Sequence, residues 1–372
     1  MAKVALYGGN SIRTWNTNEA GRILDEAASY GLTVTLGLEV GNEWWGNDFS
    51  YWNSRAVDEK IAALKKVVEQ YKDHPALLMW GIGNEVHLFG GNQLMVLHTI
   101  DRIAKMIHET DPNHPVMTAV PLGPNFSKRG LMRLLCPNLD ILGVNGFARL
   151  PYLQEEIGGL FGWNKAYILS EWGSEGPWEA NSTDWGAPLE KSSTLRGQEV
   201  DYYWDVINKD STYFLGGYAF YWGTKYERTE TFYSLFSFED FETESVNRLR
   251  VRWSGVNPDN WAPSLDSLHM NGEPLHRSLY LPAGSVQEVQ AFAHDPDNDL
   301  LSYCWEIRPE GFDDMKKGNY DYVLNHLLPE DGGSNIQFCT PEQEGGYRLY
   351  VYVYDGNQHI TTHNIPFYTL IP

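Results

Sequence analysis

Along the first two thirds of the chain, apolar runs of strand length alternate with amphipathic stretches of helix length. The clearest run is Leu77-Leu78-Met79-Trp80-Gly81-Ile82-Gly83, bounded by Asp73-His74-Pro75 before it and Asn84-Glu85 after it. Such uninterrupted runs mark strands buried on both faces, as in parallel sheets. The pattern predicts strands around Ile12, Val34, Leu78, Val116, Ile141, Ile168 and Tyr218, the last running over 217–222. Helices are predicted over 18–30, 56–71, 94–109, 131–135, 195–208 and 242–252. Gly31 stands where a left-handed C-cap is needed, and Asp73-His74-Pro75 and Asp111-Pro112 stop the longer helices.

Strand–helix alternation is the signature of an α/β fold, here a (β/α)8 TIM barrel. Seven strand signals are one short of the barrel's eight. Residues 4–7 lie too close to the Ser11 strand for a crossover helix, which takes about ten residues. They read as the tail of a helix, and the first barrel strand is expected to be missing from this chain.

The pattern changes beyond residue 255. Residues 256–270 contain Asn257-Pro258-Asp259-Asn260-Trp261-Ala262-Pro263 and read as a linker. Over 271–372, β-branched and aromatic residues alternate with polar ones at 286–293, 301–307, 347–354 and 360–368. Turn signals separate these segments, which predicts a small all-β, antiparallel, immunoglobulin-like sandwich. The barrel is thus assigned to 1–255 and the sandwich to 271–372.

Two of the barrel strands end in a carboxylate. The first exits at Asn84-Glu85, and Tyr167-Ile168-Leu169 exits at Ser170-Glu171-Trp172-Gly173. Catalytic groups of α/β barrels sit at the C-terminal ends of strands. Three strands separate the two glutamates, which places them across a central pocket. Glycosidic cleavage needs such a pair, one carboxyl to protonate the leaving oxygen and one to attack or support the anomeric carbon.

Charge and composition narrow the partners. A net charge of −21 repels a phosphate backbone and excludes nucleic acid. No apolar run reaches the roughly 18 residues of a membrane span, and the N-terminus lacks the apolar stretch of a signal peptide. Three cysteines make neither a disulfide framework nor a zinc site. Cys304 and Cys339 are a candidate pair in the β region, leaving Cys136 as a buried thiol. The 14 Trp and 22 Tyr include Trp15, Trp44, Trp45 and Trp172 near strand exits. Flat rings there would match the apolar faces of pyranoses. The loop carrying Trp44 and Trp45 also holds Glu43 and Asp48 and could shape an extended cleft. His87 reads as a hydrogen-bonding rim residue, since no second His stands at zinc spacing. Asp295-Pro296-Asp297-Asn298-Asp299 has the residues of a calcium turn, although Asp and Asn more often serve backbone hydrogen bonds.

The segments Asn10-Ser11-Ile12-Arg13-Thr14-Trp15, Tyr71-Lys72-Asp73-His74-Pro75, Trp80-Gly81-Ile82-Gly83-Asn84-Glu85 and Ser170-Glu171-Trp172-Gly173 carry a likeness. Over about residues 1–255 the chain resembles the retaining glycoside hydrolases of clan A, especially family 2-type barrels and β-1,3-glucanases. The resemblance implies that Glu85 is the acid/base and Glu171 the nucleophile, at the ends of the fourth and seventh barrel strands. That numbering again requires a strand before residue 1. It further implies that Arg13 keeps the nucleophile ionised and that Trp222 is the platform under the bound sugar. Asn84, Asn145, Trp15, Trp45 and Trp172 complete the expected substrate contacts. Where the clan often has a Tyr bonded to the nucleophile, this chain has Asn145-Gly146-Phe147, with Tyr152 as a candidate substitute. The segment Asp295 to Trp305 resembles polycystic-kidney-disease and immunoglobulin-like modules of secreted carbohydrate enzymes, expected here to brace the barrel.

The implied activity is cofactor-free double displacement on a β-linked glucan, with β-1,3-glucan the expected substrate and a secreted, periplasmic or cell-surface location. Transglycosylation, β-galactosidase or β-mannanase activity would use the same two glutamates. A non-catalytic carbohydrate-binding protein on a degenerate barrel is the rival class.

Overall fold

The computed structural model describes residues 1–41, 49–86, 93–123, 129–160, 162–274, 278–310, 323–330 and 332–371. The chain divides into two compact units. One is Met1–Trp172 with Tyr203–Ala219; the other is Gly173–Tyr202 with Phe220–Pro372.

The first unit is a strand–helix alternation: α1 (Ala2–Leu6), β1 (Ser11–Arg13), α2 (Ala20–Ser29), β2 (Thr33–Leu38), α3 (Ser54–Tyr71), β3 (Leu77–Asn84) and α4 (Gln93–Thr110). It continues with β4 (Val116–Pro121), α5 (Arg129–Leu135), β5 (Ile141–Gly146), α6 (Leu153–Ile157), β6 (Tyr167–Trp172), α7 (Ser193–Ile207, entering from the other unit) and β7 (Phe214–Ala219). The caps follow from the sequence. Asn53 accepts a bond from the Ala56 N–H at the start of α3, and Gly31 takes φ 69° just past α2.

Among the described residues seven parallel strands pair in sequence order, β1 to β7, the number that the apolar pattern predicts. Tyr218 draws the two end strands together. Its hydroxyl lies 2.6 Å from Thr35 Oγ1 on β2 and 3.2 Å from Ser11 Oγ on β1, so the sheet curls into a nearly closed barrel. Met79, Met117, Ala119, Ile141 and Ile168 form an apolar cluster of neighbouring strands, with Tyr218 packed against it. Strands with both faces covered explain why the runs lack period-two alternation. No helix among the described residues is long and apolar enough to cross a membrane.

The second unit holds α8 (Glu244–Ser254) and two four-stranded sheets. Its strands are β8 (Ser264–Met270), β9 (Glu273–Pro274), β10 (Leu279–Pro282), β11 (Val286–His294), β12 (Ser302–Pro309), β13 (Asn335–Cys339), β14 (Gly345–Tyr354) and β15 (Ile360–Leu370). One sheet runs β13-β11-β8-β9 and the other β10-β15-β14-β12. Leu268, Val289 and Phe338 from the first sheet share one core with Trp305, Val351 and Phe367 from the second, which makes a sandwich.

Three expectations need correction here. The segment 264–270, assigned to a linker, is strand β8, whose Leu265, Leu268 and Met270 enter the core. The sandwich is not wholly antiparallel, because β10 runs parallel to β15. Cys304 and Cys339, on β12 and β13, are both exposed free thiols and do not pair. The unit also takes in the segment 173–202. Buried Glu190 accepts from Arg196 at 2.6 Å, Thr229 at 2.6 Å and Asn364 at 2.6 Å, and these bonds tie that segment to β15. Burial raises the cost of charge on Glu190, yet the Arg196 cation and these donors hold its pKa below the usual value.

Candidate active site

The C-terminal ends of the barrel strands bring distant residues into one hydrogen-bonded cluster. Arg13 ends β1, and Trp15 lies just beyond it. Gly37 on β2 lets this segment pass, since a Cβ there would meet Thr14 O at 2.4 Å. The Gly37 N–H donates to Thr14 Oγ1 at 3.1 Å and pins the crossing. At the exit of β3, Gly83 and Glu85 take left-handed φ values of 61° and 52°, and the Glu85 N–H donates to Ala119 O at 3.0 Å. A Cβ on Gly83 would strike Val86 Cγ1 at 2.6 Å, so the bend requires glycine.

Glu171, on β6, is held by two donors at one oxygen. Arg13 Nη1 donates to Oε1 at 3.1 Å and Trp15 Nε1 donates to the same atom at 2.8 Å. Oε2 takes neither bond. Arg13 and Glu171 are both nearly buried, with side-chain exposures of 4% and 10%. A buried charge pair is tolerable only when its remaining hydrogen bonds are satisfied. Here Arg13 also donates to Ser170 O at 2.9 Å and, through Nη2, to Asn84 Oδ1 at 2.7 Å.

Glu85 sits in a different environment. It is half-buried, and Asn145 Nδ2 on β5 donates to its Oε1 at 2.8 Å and to Asn84 Oδ1 at 3.1 Å. Ser170 Oγ donates to Asn145 Oδ1 at 2.6 Å and so fixes which way the amide points. One carboxylate thus faces a guanidinium and an indole N–H, and the other faces a neutral amide. Asn84 joins the two halves.

The remaining candidates separate. Trp172 is buried at 2% exposure, tilted against Trp204 of α7 with ring centroids 6.5 Å apart. Its ring is thus packed inside this unit and makes none of the bonds of the cluster around Glu171. Strand β7 stops at Ala219, short of Trp222, which packs in the second unit against Phe236 and Trp253 at 5.1 and 5.4 Å. Tyr152 is exposed and lies under the Arg149 guanidinium, so Trp15 takes the donor role expected of a tyrosine. Trp44, Trp45, Glu43, Asp48 and His87 lie outside the described residues. Ser170 and Tyr218 were not singled out by sequence. Ser170 stands beside the glutamate inside an apolar run, a position that could have flagged it.

Residues 8–135 match the family described as Cellulase, glycosyl hydrolase family 5. The matched stretch runs from β1 to the end of α5. The chain is 25% identical over 185 residues to a β-glucuronidase of Chlorocebus aethiops, covering 45% of this chain and 26% of that protein. It is 31% identical over 68 residues to mannan endo-1,4-β-mannosidase F of Aspergillus clavatus, covering 18% and 16%. The chain therefore matches about a quarter or less of the length of these curated relatives. Among solved structures, the β-D-glucuronidase of Dictyoglomus thermophilum aligns with TM-score 0.52 and 19% identity, over 70% of this chain and 46% of that one. The Bifidobacterium dentium β-glucuronidase complexed with coumarin-3-O-glucuronide aligns with TM-score 0.55 and 18% identity, over 69% and 42%. At such identities the structural likeness is one of fold. Glu85 directly follows β3, and Glu171 is the penultimate residue of β6.

Proposed function

We propose that the chain is a retaining β-glycosidase with Glu171 as nucleophile and Glu85 as acid/base. In the first step Glu171 Oε2 bonds to the anomeric carbon as the glycosidic bond breaks, and its electron pair leaves with the aglycone oxygen. Glu85 gives that oxygen its proton. In the second step Glu85, now ionised, takes a proton from water while the water oxygen displaces Glu171. The observation that carries this reading is the convergence of Arg13 and Trp15 on Glu171 Oε1. Two donors on one oxygen fix the orientation of the carboxylate and leave the other oxygen to attack. The Asn145 amide orients Glu85 through its Oε1.

For the substrate we favour neutral β-linked hexosides, with the β-1,3-glucan expected from sequence and a β-1,4-mannan as members of that class. Among the described residues of this cluster the cation is Arg13, which is already shared among Glu171, Ser170 and Asn84. The second reading is a β-glucuronide, suggested by the names of the relatives. The β-1,3-glucan preference itself rests on the sequence likeness alone. A location outside the cytoplasm accompanies the polysaccharide reading.

Turnover of aryl β-glucoside, β-mannoside, β-galactoside and β-glucuronide, with laminarin and β-mannan, tests the proposal against Glu85→Gln and Glu171→Gln. Each substitution should lower turnover on the preferred substrate by on the order of 10³-fold or more. Turnover left intact by either substitution sinks the role assignment. Saturable binding by a parent that never cleaves would make the protein a carbohydrate-binding one.

A further inference from the structure

Two turns of the sandwich bring three carboxylates together at one end. Asp295 and Asp299 lie between β11 and β12, and Asp355 lies between β14 and β15. One carboxylate oxygen of each lies within 4.8 Å of the other two. Part of this is ordinary turn chemistry. Asp295 Oδ1 accepts from the backbone N–H groups of Asp297 and Asp299 at 2.8 and 3.0 Å. Asp355 Oδ1 does the same for Asn357 and His359 at 2.7 and 3.1 Å. Those bonds say nothing about a ligand.

The other oxygen of Asp295 is different. Asp295 is only 9% exposed, and its Oδ2 is buried without a hydrogen-bond partner. With Oδ1 committed to its own turn, Oδ2 is the atom left for the neighbouring carboxylates. A buried carboxylate oxygen with no donor is costly, and two more anions beside it raise that cost. Among the described residues no Lys or Arg forms an ion pair with Asp295, Asp297, Asp299 or Asp355. The titratable groups facing the cluster are Asp297, whose Oδ2 accepts from the Trp261 N–H, and His359, whose Nδ1 is 3.5 Å from Asp355 Oδ2. Glu242 lies behind His359, 3.8 Å from its Nε2.

We propose that this end of the sandwich binds a divalent cation, Ca²⁺ by its donors. The ligands would be Asp295 Oδ2 with the carboxylates of Asp299 and Asp355. All are hard oxygens, which suit Ca²⁺ and Mg²⁺ over softer metals. Donors drawn from separate turns fit the larger and more adaptable shell of Ca²⁺ better than the strict octahedron of Mg²⁺. Two amides complete the picture. Asn260 Nδ2 donates to Asp355 Oδ2 and Asn357 Nδ2 donates to Asp299 Oδ2, both at 2.6 Å. Turned over, each would offer its carbonyl oxygen to the same centre. Binding would fasten the β11–β12 and β14–β15 turns to the segment at Asn260-Trp261.

The test uses the full chain, stripped with EDTA and dialysed. Tb³⁺ emission excited through Trp261 should rise to saturation and be reversed by Ca²⁺ more readily than by Mg²⁺. Ca²⁺ should also raise the Tm, with Kd at or below about 10⁻³ M. Asp295→Asn keeps an Oδ1 acceptor for the turn but loses the charged Oδ2. It should fold normally without metal and bind at least about tenfold more weakly, as should Asp299→Asn. The proposal is overturned if the parent shows neither saturable Tb³⁺ emission nor a Ca²⁺-dependent Tm. It is equally overturned if the folded variants bind like the parent, which would mean diffuse attraction to an acidic surface.

Discussion

Arg13 and Asn84 are joined by a 2.7 Å bond from Nη2 to Oδ1, and this contact links the surroundings of the two catalytic candidates. Through its other nitrogen Arg13 holds Glu171, and Asn84 shares the Asn145 amide with Glu85. The two carboxylates are therefore positioned by one continuous network whose members come from β1, β3, β5 and β6. Substitution at either end of the bond should disturb both glutamates.

Trp15→Phe keeps an aromatic side chain but removes the indole N–H that reaches Glu171 Oε1, together with part of the ring system. A hydrogen bond to a charged group is worth about 1.5–3 kcal/mol. Turnover should therefore fall about 10- to 100-fold, with little change in Tm. Steady-state kinetics on an aryl β-glycoside that the parent cleaves, paired with thermal melts, checks both parts.

Asn145→Ala removes the amide that donates to Glu85 and Asn84 together, and Ser170→Ala removes only the hydroxyl that orients it. Kinetic loss should be graded, with Asn145→Ala the more severe. A double variant should lose no more than Asn145→Ala alone, because Ser170 acts through the amide. Additive losses would place Ser170 in a separate role.

His363, on β15, is half-buried with an unpartnered Nδ1. Burial lowers its pKa to about 4; Glu190 opposes this while Arg196 and Arg348 reinforce it. Its folded value lies below that of the unfolded chain, so the stability tied to the neutral ring is present above pH 6.5 and lost as pH falls towards 4. Across that window the loss should approach about 1.4 kcal/mol per pH unit. Urea melts at several pH values should show this slope in the parent and a shallower one in His363→Gln.

The three cysteines should react in a fixed order with an aromatic disulfide reagent. Cys136 is buried, donates to Leu97 O at 3.3 Å and has its thiol pushed up to about 12 by burial and by Asp101. Cys304 is exposed, but burial of part of its side chain and the charges of Glu306 and Glu239 raise its pKa. Cys339 should react first, Cys304 more slowly, and Cys136 only after unfolding. Peptide mapping of the labelled protein reads the order.

The barrel was legible in the sequence because its strands are covered on both faces and appear as unbroken apolar runs. Glu85 and Glu171 stood out because each follows such a run. What lies around them was harder to read. Trp172 adjoins Glu171 in sequence, yet its ring packs against Trp204 of α7, a contact that sequence neighbours do not reveal. The apolar run through Tyr218 continues to Trp222, but strand β7 ends at Ala219. Strand β8 went unseen because its apolar residues follow the turn-rich segment ending at Pro263, and a bulge at Phe292/Ala293 shifts its register. The roles of Trp15 and Ser170 depend on tertiary contacts across β1, β5 and β6.

The central claim is the division of labour between Glu171 and Glu85, and azide rescue reads it most directly. Glu171→Ala and Glu85→Ala are each incubated with azide and an activated aryl β-glycoside that the parent cleaves, and the products are identified by NMR. If Glu171 is the nucleophile, azide enters its vacated face and Glu171→Ala yields the α-glycosyl azide. In Glu85→Ala the glycosyl-enzyme still forms and azide attacks from the opposite face, giving the β-glycosyl azide. The reverse assignment of anomers, or rescue of neither variant of an active parent, would contradict the account.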